Sequence, residues 1–474
     1  MSRSRLLNTM KPLSALLPEV EGPQTRYQLI EKLGWMAGCV VVYQVLLNMP
    51  VYGAAKRDFV DPINVWRVLD GSSASGALVT GLAPIFLSGF LMQLLAAGRK
   101  IAVNFNLISD RVMFQNTQKV FSGFLYLLLS IAYVVSGYYG HVSELGITLS
   151  LIFVVQLFIP GIICIYLCEL VEKGYGLGSG PVLLLSSHIV SSLFWQILSF
   201  NRYQLTEDIS QYEGTLVGFV FSLFSYKEKF YALRSIFFRT ERLNFFSLLA
   251  CVGAFVGFIY LLCMRIDISI RSSRVRGFRQ NFPLRLLYTS ASPFLCIYSV
   301  VSHLLVLAFF IHSMFPNSVF TRFLVQYTEY ETDPIRQLRL TGGLIYYFVP
   351  PLSLWETITC PIHTIVYAVF LYSTSVYLSL AWMNATGSGP RDILAFFKEN
   401  QLIIAGFREV SMLKELEKIV PSAARISALV MSSLSLLAGI TASTFGLGVV
   451  IASAIVFASF EVIMGANPSL ANGL

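Results

Sequence analysis

The sequence has little charge. Asp, Glu, Lys and Arg make up only 13% of its 474 residues, whereas a soluble globular protein carries about a quarter. In contrast, 55% of the residues are hydrophobic and the mean hydropathy is +0.68. This composition excludes an ordinary soluble protein and predicts a membrane protein. The net charge of +8 does not indicate nucleic-acid binding, because the basic residues lie mainly between apolar runs, where membrane topology places them.

The sequence also lacks the common motifs of catalysis and metal binding. It contains no HExxH or GxSxG motif and no CxxC pair among its seven cysteines, and the glycine-rich run 174–180 lacks the Lys-Ser/Thr of a phosphate-binding loop. We therefore expect no enzymatic activity, no cofactor and no metal, and interpret this run as close backbone packing at a helix start. A secondary solute transporter is the alternative. It would need ionisable residues inside the membrane, and the acids nearest the predicted core are Glu169, Glu172 and Glu461.

Ten apolar segments approach the roughly 20 residues that a membrane-spanning helix needs. They are 33–52, 78–97, 120–138, 146–168, 181–200, 245–264, 286–312, 362–382, 422–439 and 445–465, and we expect a tight turn between the last two. The sequence therefore predicts an all-α membrane protein. With the N-terminus in the cytosol, the cytosolic segments hold 21 Lys and Arg residues and the opposite side holds 12. This bias predicts that both termini are cytosolic.

The spans divide the chain into five parts. We expect a cytosolic amphipathic segment (1–32), an N-terminal half (33–200), a hairpin or linker on the lumenal side (201–242), a C-terminal half (243–466) and a tail (467–474). Two polar loops, 265–285 and 383–421, project from the C-terminal half to the cytosol. Two polar loops on one side of a membrane protein indicate a docking surface.

The segment 61–76, between the first two predicted spans, begins like a helix and then changes character. Asp61 can cap a helix and Pro62 suits its first turn, whereas the residues up to Gly76 are mostly Gly, Ser and Ala. A short helix followed by a flexible strip suits a small mobile element. An ordinary external loop is the alternative.

Several short motifs follow one another along the chain: Asp61-Pro62, Trp66-Arg67-Val68, Pro84-Ile85, Ser88-Gly89, Met92–Ala96, Lys173–Gly180, Arg274–Gly277, Leu287–Ser290, Pro350-Pro351 and Gly406–Met412. In this order they resemble the SecY family, in particular the alpha subunit of the eukaryotic endoplasmic-reticulum translocon. The resemblance covers nearly the whole chain, and the stretch 103–121 is similar to the paralogous second translocon of yeasts.

The resemblance implies a protein-conducting channel of the endoplasmic-reticulum membrane. Two pseudo-symmetric halves of five spans each would enclose a pore, and a re-entrant plug would close it. The plug would include Asp61, Pro62, Trp66, Arg67, Gly71 and Gly76. The implied partners are the ribosome, two small single-span subunits (beta and gamma), the nascent polypeptide with its signal sequence, and the lipid bilayer.

A ring of apolar side chains would form the waist of the pore, because such a lining resists wetting and bonds to no particular sequence. By the resemblance, the ring consists of Leu82, Phe86, Pro181, Leu185, Leu295 and Ile451. Any one of these residues could instead serve only in packing. Pro181 departs from the aliphatic residue of the family, and a position in the first turn of a helix would accommodate it.

The family also has a polar cluster beside this ring. Here the matching positions hold Leu87, Leu129 and His303, so two of the three are apolar. His303 is either a gate residue with a pH-dependent charge or a neutral packing histidine.

Members of the family bind the ribosome through the two cytosolic loops. The matching residues are Arg274, Arg276 and Arg408, and the planar guanidinium group suits the phosphates of ribosomal RNA. The alternative is that these loops are basic only because of membrane topology. Ala405 stands where the family usually has a basic residue, so we expect a weaker grip by the second loop.

Overall fold

The structure is a computed structural model. It describes Pro12, 17–25 and 27–466, apart from residues 55–60, 62, 64–65, 99, 102, 104–106, 141, 207–208, 226–236, 238–243, 273–278, 290–291, 317, 333–334, 352–353 and 408. Half of the predicted amphipathic segment and the whole of the predicted tail therefore lie outside the described residues. In the described part, long apolar helices form a bundle, and short strands occupy the connections.

Among the described residues, eight helices lie in the first half of the chain: α1 (Leu29–Asn48), α2 (Arg67–Asp70), α3 (Ala83–Ala97), α4 (Ile108–Val135), α5 (Val142–Leu145), α6 (Ile147–Leu170), α7 (Gly180–Leu198) and α8 (Thr215–Ser225). Seven follow: α9 (Phe245–Cys263), α10 (Ser292–Met314), α11 (Val319–Leu324), α12 (Leu354–Thr359), α13 (Pro361–Ala385), α14 (Pro390–Glu399) and α15 (Glu409–Ala466). A π-helical turn (Val171–Tyr175) extends α6, and a 3-10 turn (Ile345–Phe348) precedes α12.

Among the described residues, eight helices are long and apolar enough to cross a membrane. Three further apolar helices are shorter: Ala83–Ala97, Thr215–Phe224 and Gly446–Glu461. Each of the ten predicted spans overlaps one of these eleven helices. The eleventh helix, Thr215–Phe224, matches no predicted span and lies in the predicted lumenal linker. The mostly helical membrane fold is therefore confirmed, and the count of ten spans remains a prediction.

The last two predicted spans belong to one continuous helical segment, α15, of 58 residues. Nevertheless, a Cβ atom on Gly439 would lie 3.6 Å from Leu447 Cδ2, whereas eight residues of a straight helix extend about 12 Å. The helical path therefore bends back between these residues. The predicted change of direction is present, but the backbone stays helical where we expected a turn between separate helices.

Glycine and proline residues determine where several helices start and how closely they approach. Pro181 occupies the first turn of α7, where its missing N–H leaves no hydrogen bond unmade. A Cβ on Gly180 would come within 2.5 Å of the Cys168 backbone, and one on Gly161 would come within 2.4 Å of the Tyr126 ring. The glycine-rich run thus serves close packing between α6 and α7, as its sequence indicated.

The connections contain strands that the sequence analysis did not predict. The hairpin β1 (Arg202–Thr206) and β2 (Ile209–Tyr212) lies in the predicted lumenal linker. Strands β3 (Arg265–Ser272) and β4 (Arg279–Arg285) form a hairpin between α9 and α10. Strands β5 (Gln326–Thr332) and β6 (Ile335–Gly342) follow α11, and β7 (Leu402–Ile404) pairs with β3, which gives the sheet order β4-β3-β7.

The described side chains form a main hydrophobic core and a second, smaller core that is separate from it. The main core runs through the bundle and includes Tyr43, Leu82, Leu185 and Ile451. The second core lies against the β4-β3-β7 sheet, where α14 contributes Phe397 and α15 contributes Leu416. The sheet is therefore built on its own apolar support and is not a loose loop.

Candidate functional site

The short helix α2 lies at the centre of the bundle, in contact with α7, α10 and α15. Its preceding residue, Trp66, is 2% exposed, and the ring lies 5.5 Å from that of Tyr298 in α10, measured between centroids. The described part of residues 61–76, hereafter the plug segment, thus packs among the apolar helices, and its role as a plug remains a prediction. Pro62 lies outside the described residues.

A buried ion pair holds the first part of the plug segment together. The Arg67 guanidinium contacts Asp61, with Nε 2.5 Å from Oδ2 and Nη2 2.9 Å from Oδ1. The same guanidinium donates to Val79 O at 3.1 Å and to Tyr138 Oη at 3.2 Å. Asp61 and Arg67 are both nearly fully buried, so removal of one partner would leave the other charge unpaired at a large energetic cost.

The last residue of α2, Asp70, connects the plug segment to α10. Its carboxylate accepts a hydrogen bond from Ser302 Oγ, and the side chain is buried. Burial raises the pKa of Asp70 to about 7, although the Ser302 hydrogen bond and the Arg67 charge both act to lower it. Asp61 and Asp70 correct the sequence analysis, which placed the acids nearest the core at Glu169, Glu172 and Glu461.

The glycine-rich end of the plug segment is packed and hydrogen-bonded, whereas we expected a flexible strip. Tyr43 Oη donates to Gly71 O at 2.6 Å, and the N–H of Ala77 donates to Met49 O at 2.7 Å. Gly71 has a φ of 64°, which favours glycine. A Cβ on Gly76 would collide with the Leu47 carbonyl oxygen, so the sequence of this end reflects close backbone approach.

The structure brings five of the six predicted ring residues into the main core. Leu82, Leu185 and Ile451 are at most 2% exposed, and Phe86 and Leu295 are partly buried and pack against the main core. Gly71 of the plug segment lies directly beside Leu82, since its Cβ would be 3.0 Å from Leu82 Cδ1. The sixth residue, Pro181, lines an adjacent cavity of about 100 Å³.

That cavity contains a charged cluster between α4 and α6. Lys119 Nζ lies 2.5 Å from Glu169 Oε1, and Lys173 Nζ lies 3.8 Å from the same oxygen. The third predicted acid, Glu461, pairs at 2.7 Å with Arg285 at the end of β4. Glu169 and Glu461 thus have basic partners at the ends of helices, so neither of these two acids offers an unpaired carboxylate for the ion coupling that a solute transporter needs.

Leu87, Leu129 and His303 lie on α3, α4 and α10, three helices that pack against one another. His303 Nδ1 donates to Ser299 O of its own helix at 2.7 Å. Its Nε2 is buried and lacks a hydrogen-bond partner among the described residues. The hydrogen bond favours the interpretation of His303 as a packing residue.

Serine side chains bridge α10 to α3 and α4 in a way that sequence reasoning missed. Ser299 Oγ donates to Ala83 O of α3 at 2.9 Å, and Ser313 Oγ donates to Ser136 O after α4 at 2.6 Å. We call this contact between α10 and the α3–α4 pair the seam. The only sequence signal is the spacing of Ser299, Ser302 and Ser313, which places them on one helical face.

The two predicted docking loops meet in the β4-β3-β7 sheet. Ile270 pairs with Ile404 and Arg271 with Ile403, and the N–H of Ala405 donates to Ser269 O at 2.8 Å. Arg274, Arg276 and Arg408 lie outside the described residues. The first two belong to the connection from β3 to β4, and Arg408 follows β7 by four positions.

These features define a class of protein: a multi-spanning helical membrane channel, in which a short segment packs at the centre of an apolar bundle. The family model described as SecY matches residues 78–460. The chain belongs to the SecY family, and this membership agrees with the expectation that it is not an enzyme.

Three similar proteins extend this assignment. The chain is 61% identical, over the full length of both proteins, to an uncharacterized protein of Schizosaccharomyces pombe. It is 34% identical to the protein transport protein SEC61 subunit alpha of Neurospora crassa, over 98% of this chain and 97% of that protein. Among solved structures, it resembles the yeast Ssh1 complex bound to the yeast 80S ribosome, with 27% identity, a TM-score of 0.75, and coverage of 96% of this chain and 94% of that one.

Proposed function

We propose that this protein is the channel-forming subunit of a protein translocon in the endoplasmic-reticulum membrane. It conducts nascent secretory polypeptides across the membrane and releases hydrophobic segments into the bilayer. The observation that carries this proposal is the buried plug segment beside Leu82 in the apolar core of a SecY-family chain. An apolar constriction suits a passage for many sequences, because it forms no specific bond with any of them.

The ring would consist of Leu82, Phe86, Pro181, Leu185, Leu295 and Ile451. A signal sequence would enter between α3 and α10 and break the seam, and the plug segment would leave its place. The channel has no energy source of its own, so the ribosome or another partner supplies direction. Two small single-span subunits, beta and gamma, complete the complex.

Both termini would lie in the cytosol, on the same side as the β4-β3-β7 sheet. The ribosome would dock there through Arg274, Arg276 and Arg408. The pairing of β3 with β7 supports this proposal, because it joins the two loops into one surface. The relation to a ribosome-bound Ssh1 complex also supports it.

Photocrosslinking tests the proposed path. Phe86 is replaced by photoreactive benzoyl-phenylalanine in the reconstituted complex, which then receives a ribosome carrying a stalled secretory chain. We expect crosslinks from position 86 to the nascent chain. Phe124, which is 57% exposed on α4, provides the matched aromatic control and should give none. Successful translocation with equal crosslinking at both positions would reject the proposed ring.

A further inference from the structure

A cavity of about 330 Å³ lies where α10 ends and α11 begins, outside the pore and the docking surface. The β4-β3-β7 sheet adjoins the start of α10, so this cavity lies at the opposite end of that helix. A single water needs only about 10–15 Å³ of such space, and small-molecule sites occupy roughly 300–1,000 Å³. The cavity is therefore large enough for a chemical group well beyond one or two waters.

Three polar side chains in the cavity wall have buried atoms without a hydrogen bond. In the described part of the chain, His312 Nδ1, Thr321 Oγ1 and Tyr327 Oη have no partner, and Thr321 is only 1% exposed. The rings of His312 and Tyr327 lie 5.1 Å apart in an edge-on arrangement. Buried polar groups in proteins nearly always have a partner, so three such atoms around one cavity point to a polar ligand.

The charge of the cavity wall identifies the chemistry of that ligand. Arg322 lines the cavity with an exposed side chain, and the described ion pairs do not include it. The lining residues include no Asp or Glu. Burial raises the pKa of Tyr327, so its hydroxyl remains a donor. A guanidinium, two hydroxyls and an imidazole together suit the several acceptor oxygens of a phosphate group.

The surroundings of the cavity identify the source of the phosphate. Four apolar residues on and beside α11 are more than 60% exposed: Phe315, Val319, Phe320 and Phe323. They follow directly on the end of a membrane-spanning helix, where aromatic residues are typical of the membrane interface. A lipid could place its acyl chains against these side chains and its headgroup in the cavity.

We propose that this cavity binds the headgroup phosphate of a membrane phospholipid. Arg322 would pair with the phosphate, and Thr321, Tyr327 and His312 would complete its hydrogen bonds. The adjacent Ser313 belongs to the seam, so the bound lipid would hold this end of α10. The proposal does not depend on what the pore conducts.

Native mass spectrometry of the intact purified complex, with defined lipids added in detergent, tests the proposal. We expect phosphatidic acid to be retained and diacylglycerol with the same acyl chains to be lost, since the two differ only in the phosphate. In the variant T321V/R322Q/Y327F, retention of phosphatidic acid should fall about tenfold, because the charge-assisted contacts are gone. Arg265→Gln changes an exposed arginine at the start of β3 and should leave retention unchanged.

Thermal unfolding of each variant without added lipid controls for misfolding, and phosphatidic acid should raise the Tm of the wild type but not of the triple variant. Equal retention of both lipids would overturn the proposal, as would equal retention by the wild type and the triple variant. Stabilisation by inorganic phosphate alone, without any effect of phosphatidic acid, would assign the cavity to a soluble phosphate and reject the lipid.

Discussion

Gly71 is a residue of the plug segment that leaves little room for a side chain. A methyl group there would lie 2.6 Å from Tyr43 Oη and 3.0 Å from Leu82 Cδ1, and the left-handed backbone itself disfavours a side chain by about 1–2 kcal/mol. We expect Gly71→Ala to increase ion leak through the idle channel by at least about tenfold. Planar-bilayer conductance measures this leak. Gly387 has nearly the same φ as Gly71, but a Cβ there would meet no atom within 4 Å. The control variant Gly387→Ala should therefore not increase the leak.

We expect Asp70 to make the stability of the proposed closed state dependent on pH. Its pKa is about 7 in the buried position, against an ordinary value of 3.8. Between these two values the buried carboxyl group keeps its proton, whereas a displaced and hydrated Asp70 would release it. This stabilisation is complete below about pH 4 and is lost as the pH rises through 7. The guanidinium of Arg67 keeps its charge over this range.

We therefore expect ion leak to rise about tenfold between pH 6 and pH 8. Conductance of the idle complex at a series of pH values measures this. Asp70→Asn keeps the size of the side chain and cannot ionise, so its leak should be independent of pH. An unchanged pH profile in this variant would show that another group is responsible.

At the scale of helices, the seam depends on a few hydrogen bonds. Each contributes about 1 kcal/mol net, so the double variant S299A/S313A should favour opening by up to about 30-fold. The variant should then accept signal sequences with shortened hydrophobic cores, which a translocation assay in reconstituted vesicles detects. Ser373→Ala removes an exposed hydroxyl that bonds only within α13 and should behave like the wild type. Identical acceptance by S299A/S313A and S373A would contradict a role for these bonds.

Some elements of the fold could be predicted from the sequence, and others could not. Hydropathy locates the spans, because twenty apolar residues are needed to cross the bilayer wherever they occur. The first turn around Pro181 and the close packing at Gly180 follow from local chemistry. In contrast, the Ser302–Asp70 bond joins residues 232 positions apart, and β3 finds its partner β7 more than 100 residues later. No local pattern encodes such pairs, and only the family resemblance indicated that these regions meet.

At the scale of the whole molecule, the β4-β3-β7 sheet lets two distant loops act as one surface. Replacing Arg274, Arg276 and Arg408 with Glu should abolish ribosome binding, because three phosphate contacts become repulsive. Co-sedimentation of the purified complex with ribosomes over a range of salt concentrations measures this. Wild-type affinity should fall steeply with salt. Arg265→Glu changes an exposed arginine at the membrane end of the same sheet and should retain binding.

The serines of the seam have a consequence for how the channel can evolve. Ser299 and Ser313 both donate to main-chain carbonyl oxygens, and every residue possesses such an oxygen whatever its side chain. Mutations on the facing helix can therefore accumulate without loss of these bonds. A guest helix that takes the place of α3 offers the same acceptors. The same two hydroxyl groups can thus bond to the facing helix when the channel is closed and to signal helices of many sequences when it is open. Neither bond depends on the side chains of the partner.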